Sequence, residues 1–124
     1  MFKSQTLIRL FDFLHKSPMP WHAVAQMVAR LDAAGFQCLD ETEAWNVAPG
    51  GRYYTVRNGS SLIAFQLPAG ELTSVRLMGA HTDSPGLRLK PRPTLTPRDW
   101  LQLGVEVYGG ALLAPWFDLS LIHI

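Results

Sequence analysis

The sequence predicts an α/β fold in which two helices precede a mixed sheet. Three observations carry that prediction. Residues 1–34 hold two apolar stripes at helical spacing. Two β-rich runs then flank Asn58-Gly59, a strong short-range hairpin signal. Further short, alternating runs continue to Tyr108. Helices followed by adjacent strands call for a layered arrangement rather than an all-β barrel.

The first helix is expected over Ser4–Leu14, where Leu7, Ile8, Leu10, Phe11 and Leu14 make one buried face and Ser4 can cap the start. Ser17-Pro18-Met19-Pro20 stops it, because proline lacks a donor and restricts the residue before it. The second helix is expected from Trp21 to about Ala34, with Ala23, Val24, Met27, Val28 and Leu31 as its stripe and Gly35 as its terminator. Phe36–Leu39 reads as a short strand, and Asp40–Gly51 as a loop ending in Pro49-Gly50-Gly51. The hairpin pairs Arg52–Arg57 with Ser60–Phe65. Pro68-Ala69-Gly70 turns the chain into Ser74–Met78, whose apolar run reads as a buried strand. Leu87–Lys90 alternates like a strand with one wet face, and Pro91, Pro93 and Pro97 mark a boundary to another subdomain. Trp100–Tyr108 is a half-buried strand, Gly109-Gly110 turns, and a new element starts at Ala111.

With 124 residues the chain suits one small domain or part of a larger one. Hydrophobic residues are 48% and charged residues 17%, a globular composition. A formal net charge of +1 gives no footing for nucleic acid or an anionic membrane. A single cysteine, Cys38, excludes an internal disulfide, fits a reducing compartment, and reads as a small core residue. No signal peptide is visible, and no apolar run approaches the roughly 20 residues that span a bilayer. A cytoplasmic protein with neither a membrane nor a nucleic-acid partner is expected. His15 and His22 have no second ligand type at metal-binding spacing and are expected to be structural or superficial.

The chemistry concentrates in Gly79-Ala80-His81-Thr82-Asp83-Ser84-Pro85. In extended backbone, residues two apart point to one side, so His81 and Asp83 can converge. Spacing alone leaves two readings open: a histidine hydrogen-bonded into a local turn, or a metal ligand with a carboxylate that orients it. A Ser-His-Asp hydrolase is disfavoured, since Ser84 has no nucleophile-elbow glycines around it. Gly50-Gly51 and Gly109-Gly110 match no phosphate-cradling loop. Zinc takes three or four protein ligands. The other Asp, Glu and His residues form no second cluster, so a metal site here needs ligands beyond these residues.

These residues resemble a known family. Gly79–Pro85 followed by Leu87-Arg88-Leu89-Lys90-Pro91 looks like the metal-site segment of the aspartyl aminopeptidase family of zinc metallopeptidases. Phe11-Asp12-Phe13-Leu14, Ser17-Pro18 and Trp21-His22-Ala23-Val24 are similar to its N-terminal helices, and Gly50–Tyr54 with Arg57–Ser60 to its hairpin. Tyr108-Gly109-Gly110 and Pro115-Trp116-Phe117-Asp118 look like its next block. The resemblance implies an enzyme that removes N-terminal Asp or Glu from peptides with two bridged metal ions, usually zinc. It implies metal-assisted hydrolysis, in which the metals activate a water and polarise the scissile carbonyl. His81 corresponds to a metal ligand and Asp83 to the catalytic aspartate that orients it. The substrate pocket cannot be assigned to Arg88, Lys90 or any other residue. Such chains are several times longer, supply the remaining ligands and the general base from later positions, and form large homo-oligomers. They also carry an inserted β-rich dimerisation domain, which places the catalytic part at 1–92 and the start of the insert at 93–118.

Where the family pattern runs Trp-Phe-Asp-Arg-Asp, this sequence has Trp116-Phe117-Asp118-Leu119. The final Leu119–Ile124 can also be read as the translation of a transposon-end sequencing adapter. Residues 119–124 are therefore expected to be non-native, His123 to be without function, and the chain as given to be inactive. The rival reading is a non-catalytic α/β module that binds a partner through exposed strands.

Overall fold

The computed structural model describes residues 4–96 and 100–114. The chain divides into two compact units, Met1–Asp83 and Ser84–Ile124, and each is described by itself. The Pro115–Asp118 block and residues 119–124 lie outside the described residues.

The first unit opens with α1 (Gln5–His15) and α2 (Pro20–Ala33). Ser4 occupies the N-cap position of α1, but its side chain makes no capping bond. Its carbonyl accepts instead from the Leu7 and Ile8 amides, at 2.8 and 3.2 Å. Pro20 sits in the first turn of α2, where its missing donor is not needed. The helix ends in a Schellman motif: the Phe36 amide donates to the Leu31 carbonyl at 3.0 Å and the Gly35 amide to the Asp32 carbonyl at 2.9 Å. Gly35 takes φ +79°, the left-handed conformation that the motif requires.

Arg30 joins the helices. Its guanidinium donates to the Arg9 carbonyl at 3.1 Å and lies 4.9 Å from the centre of the Phe13 ring. The apolar stripe of α1 departs from expectation. Helical spacing is right, yet no residue of α1 is buried, and Leu7, Ile8, Leu10, Phe11 and Leu14 are exposed. Periodicity specifies which face is apolar; burial needs a second surface to lie over it.

The sheet of this unit runs β1–β2–β3: β1 (Gln37–Cys38), β2 (Arg52–Arg57) and β3 (Ser61–Gln66). β1 is parallel to β2, with Gln37 opposite Tyr53 and Cys38 opposite Tyr54. β2 and β3 are antiparallel, with Tyr53 opposite Phe65 and Arg57 opposite Ser61, so the sheet is mixed as predicted. The core gathers Ala23 and Val24 of α2 with Tyr53, Tyr54 and Thr55 of β2. Between β2 and β3, Asn58 and Gly59 take φ +52° and +66°, and the Ser60 amide closes the turn on the Arg57 carbonyl at 3.2 Å. Cys38 is exposed rather than in the core, because β1 is a two-residue edge strand.

The expected strand at Ser74–Met78 is not formed. Residues 71–80 carry no helix or strand, and Leu77 and Met78 are 93% and 97% exposed. The segment borders an open groove of about 990 Å³ lined from Ile63 to Leu77. An apolar run becomes a buried strand only when neighbours supply ladder bonds and cover both faces.

In the second unit, β4 (Gly86–Leu95) and β5 (Gln102–Tyr108) form an antiparallel ribbon. β4 runs on through Pro91 and Pro93, where a break in regularity was expected. The prolines fall where the register shifts between Leu89↔Val105 and Thr94↔Leu103, so their missing amides cost no ladder bond. Gly104 faces this irregularity, and a Cβ there would come within 3.3 Å of the Pro93 carbonyl. β5 begins close to its expected start, but Leu103, Val105 and Val107 are exposed rather than half-buried. No helix among the described residues is long and apolar enough to cross a membrane.

Candidate metal centre

His81 and Asp83 end the first unit, beyond a segment of irregular backbone. Their side chains meet as the i, i+2 spacing predicts. Nδ1 of His81 lies 2.6 Å from the Asp83 carbonyl oxygen and 3.1 Å from its Oδ1. A carbonyl and an ionised carboxylate only accept, so Nδ1 carries the proton and donates to both. Nε2 lies on the far side of the ring from these bonds, on a side chain 74% exposed. The structure thus shows the local turn, and the same turn leaves the far side of the imidazole open.

Thr82 lies between them in sequence and bonds elsewhere. It is half-buried, and its hydroxyl donates to the Ser60 carbonyl at 2.8 Å. Sequence reasoning did not single out this residue. Its partner is a main-chain carbonyl 22 positions away, which no local pattern marks.

These residues fit one corner of a zinc site. A neutral imidazole presenting Nε2, with Nδ1–H held by a carboxylate, is the usual pairing of a zinc ligand with the group that orients it. Among the described residues, no group of three or more His, Cys, Asp and Glu is placed to hold an ion. The fit is thus to one ligand and its orienting carboxylate.

The other titratable groups serve the fold. His15 and His22 are exposed on α1 and α2, as expected. The Tyr54 hydroxyl donates to Asp32 Oδ1 at 2.8 Å and ties β2 to α2. The Asp32 carboxylate, burial of the ring and the neighbouring Cys38 all disfavour the phenolate and push the Tyr54 pKa up. Asp40 accepts from the Thr42 amide and hydroxyl at 2.8 and 2.6 Å, and these bonds hold its pKa down. Trp45 donates from Nε1 to the Asp40 carbonyl at 2.7 Å and stacks on Phe65, so the 40–45 loop is pinned to β3. In the second unit the Arg88 guanidinium lies 3.4 Å from the centre of the Tyr108 ring.

Comparison with known proteins adds three findings. A family description, aminopeptidase I zinc metalloprotease (M18), matches residues 13–122. The probable M18 family aminopeptidase 2 of Pseudomonas putida (strain GB-1) is 60% identical over 114 residues, covering 90% of this chain and 27% of that protein. Its namesake in Azotobacter vinelandii is 59% identical over 114 residues, with the same coverage. The chain therefore spans about a quarter of the length of these relatives. Among solved structures, the S. cerevisiae mApe1 dodecamer superposes with a TM-score of 0.78 at 32% identity, over 92% of this chain and 27% of that one. A chain of the Ape4–Nbr1 complex superposes with a TM-score of 0.76 at 39% identity, over 90% of this chain and 22% of that one. Aminopeptidase I of Borrelia burgdorferi B31, at 19% identity and a TM-score of 0.66, shares the fold.

Proposed function

The chain belongs to the aminopeptidase I zinc metalloprotease family M18, and on that premise we propose that it carries the N-terminal part of a metal-dependent aminopeptidase acting on peptides with an acidic first residue, Asp or Glu. In this reading His81 is a zinc ligand through Nε2, and Asp83 is the catalytic carboxylate that orients it. The observation that carries it is the pair of bonds from Nδ1 to Asp83, which fixes the tautomer a zinc ligand needs. Zinc, two ions in the complete site, supplies polarisation of the scissile carbonyl and activation of a water.

The residues of this chain have a narrower part. His81 presents Nε2, and Asp83 keeps the proton on Nδ1 and offsets the positive charge drawn onto the ring. Further ligands, the general base and the pocket for the acidic side chain come from other parts of the complete protein. The 124-residue chain alone is thus proposed to be inactive. Residues 1–92 are assigned to the catalytic domain, 93–118 to the start of the inserted dimerisation domain, and 119–124 to non-native sequence. A homo-oligomer and a cytoplasmic location complete the reading; a lone exposed cysteine suits a reducing compartment.

The test is to express the uninterrupted genomic frame that contains this sequence and to assay Asp-, Glu- and Leu-linked chromogenic substrates with and without a chelator. Chelator-sensitive cleavage favouring Asp or Glu is expected. Chelator-insensitive cleavage, or none from a folded product, overturns the metal mechanism; preference for Leu overturns the acidic specificity. A genomic stop codon directly after Ile124 favours the interaction-module reading instead.

A further inference from the structure

We propose that Thr82 is a positioning residue, whose hydroxyl, bonded to the Ser60 carbonyl, holds the His81–Asp83 pair on the β2–β3 turn and keeps Nε2 of His81 turned outward. The inference rests on the reading of His81 as a metal ligand, and it concerns what keeps that ligand in place.

The need for a tether follows from the approach to the site. Residues 71–80 have no regular structure, and their apolar side chains stand in solvent. A ligand at the end of such a segment is not oriented by strand pairing. The Thr82 hydroxyl crosses 22 positions of sequence to the hairpin, and the bond is half-buried. The backbone bends at Thr82, so a bond from its hydroxyl to the hairpin acts on the main chain that joins His81 to Asp83.

The anchor itself is stiff. Ser60 closes the turn on Arg57, and Asn58 and Gly59 are committed to positive φ. Trp21 of α2 packs so near Gly59 that a Cβ there would lie 3.2 Å from its Cδ1. A path of contacts thus runs from Trp21 through Gly59 and Ser60 to Thr82. The bonds from Nδ1 to Asp83 depend on the backbone at 82–83, because one acceptor is the Asp83 carbonyl itself. Releasing Thr82 frees that backbone and lets the ring exchange tautomers.

The experiment reads the tautomer directly. The 124-residue chain, labelled with ¹⁵N-histidine and free of metal, is examined by long-range ¹H–¹⁵N correlation at about pH 8.5, above the ordinary imidazole range. The His81 signal is assigned by its loss in His81→Gln. The unaltered chain and Thr82→Ser are expected to show the Nδ1–H form. Thr82→Val, which keeps the shape and loses the hydroxyl, is expected to drift towards the Nε2–H form favoured by an unconstrained histidine. Amide shifts of Tyr53–Thr55 report the hairpin in the same samples. An unchanged tautomer in Thr82→Val, or no recovery in Thr82→Ser, overturns the proposal. So does a disturbed hairpin in Thr82→Val, since Thr82 then supports the fold rather than the ring.

A second arm uses the complete gene product. Zinc affinity, measured by competition with a chromogenic chelator, is expected to fall about tenfold in Thr82→Val, the low end of the effect of residues that orient metal ligands. Zinc binding unaffected by Thr82→Val despite a shifted tautomer also overturns the positioning role. If the unaltered product binds no zinc, the ligand reading of His81 fails. The metal-free tautomer measurement then still decides whether Thr82 holds the pair.

Discussion

Replacing Tyr54 with phenylalanine separates the bond that joins β2 to α2 from the packing around it. The Tyr54 ring is 4% exposed, and its hydroxyl donates to Asp32 Oδ1 at 2.8 Å. Phenylalanine keeps the ring and opens no cavity. A hydrogen bond to a charged group contributes about 1.5–3 kcal/mol. Asp32 is an exposed residue whose carboxylate can rehydrate, so the lower end applies, about 1.5 kcal/mol. For a unit of this size that corresponds to a fall in Tm of roughly 6–12 °C.

The pH dependence has a definite sign. The Tyr54 pKa is raised above the ordinary 10.0, first by the Asp32 bond and then by burial. Above about pH 10 the unfolded chain loses the phenolic proton while the folded one keeps it, so the folded state binds more protons and stability falls with rising pH, by up to about 1.4 kcal/mol per unit. The contribution is complete below pH 10 and is lost above it. Tyr54→Phe lacks that phenol and escapes the loss. Urea titrations between about pH 7 and pH 11, followed by far-UV circular dichroism, read the first unit, because both described helices lie there. The difference between the two chains should shrink as pH rises past 10. Equal stabilities at pH 7, or a difference that widens above pH 10, refute the reasoning.

Three other substitutions probe separate features. In the complete gene product, His81→Ala should abolish zinc-dependent turnover, while Asp83→Asn should lower affinity or activity about 10–100-fold with the ion still detectable by elemental analysis; full activity in either variant contradicts the assignment. Gly59→Ala combines a φ of +66° with a close approach to Trp21, and should cost about 1–2 kcal/mol in urea titrations and shift tryptophan emission. Leu77→Lys with Met78→Lys removes two side chains exposed at 93% and 97%, so sedimentation should show less self-association and circular dichroism should be unchanged.

Local signals were legible in the sequence. The C-terminal end of α2 follows from Gly35 and the hairpin from Asn58-Gly59, because each acts within a few residues, whereas Pro20, expected only to stop α1, also opens α2. What failed to read was burial. The stripe of α1, Cys38 and Val75, Leu77 and Met78 are apolar, and all wait on surfaces that the sequence pattern does not locate. Pro91 and Pro93 misled for another reason. Proline forbids an amide bond but not an extended backbone, and the register shift spares β4 the loss. At the candidate site the i, i+2 pair was legible, whereas Thr82 was not, since its partner is a main-chain carbonyl on a distant turn.

The uncovered segment from Val75 to Met78 also bears on how long such a polypeptide lasts in a cell. Chaperones and proteases seize extended, apolar stretches, and a chain that presents one permanently is never out of their reach. Its abundance then depends on triage rather than on its unfolding free energy. Whatever covers Leu77 and Met78 acts as a licence for survival, and lifetime after translation is arrested becomes a measure of how quickly that cover arrives.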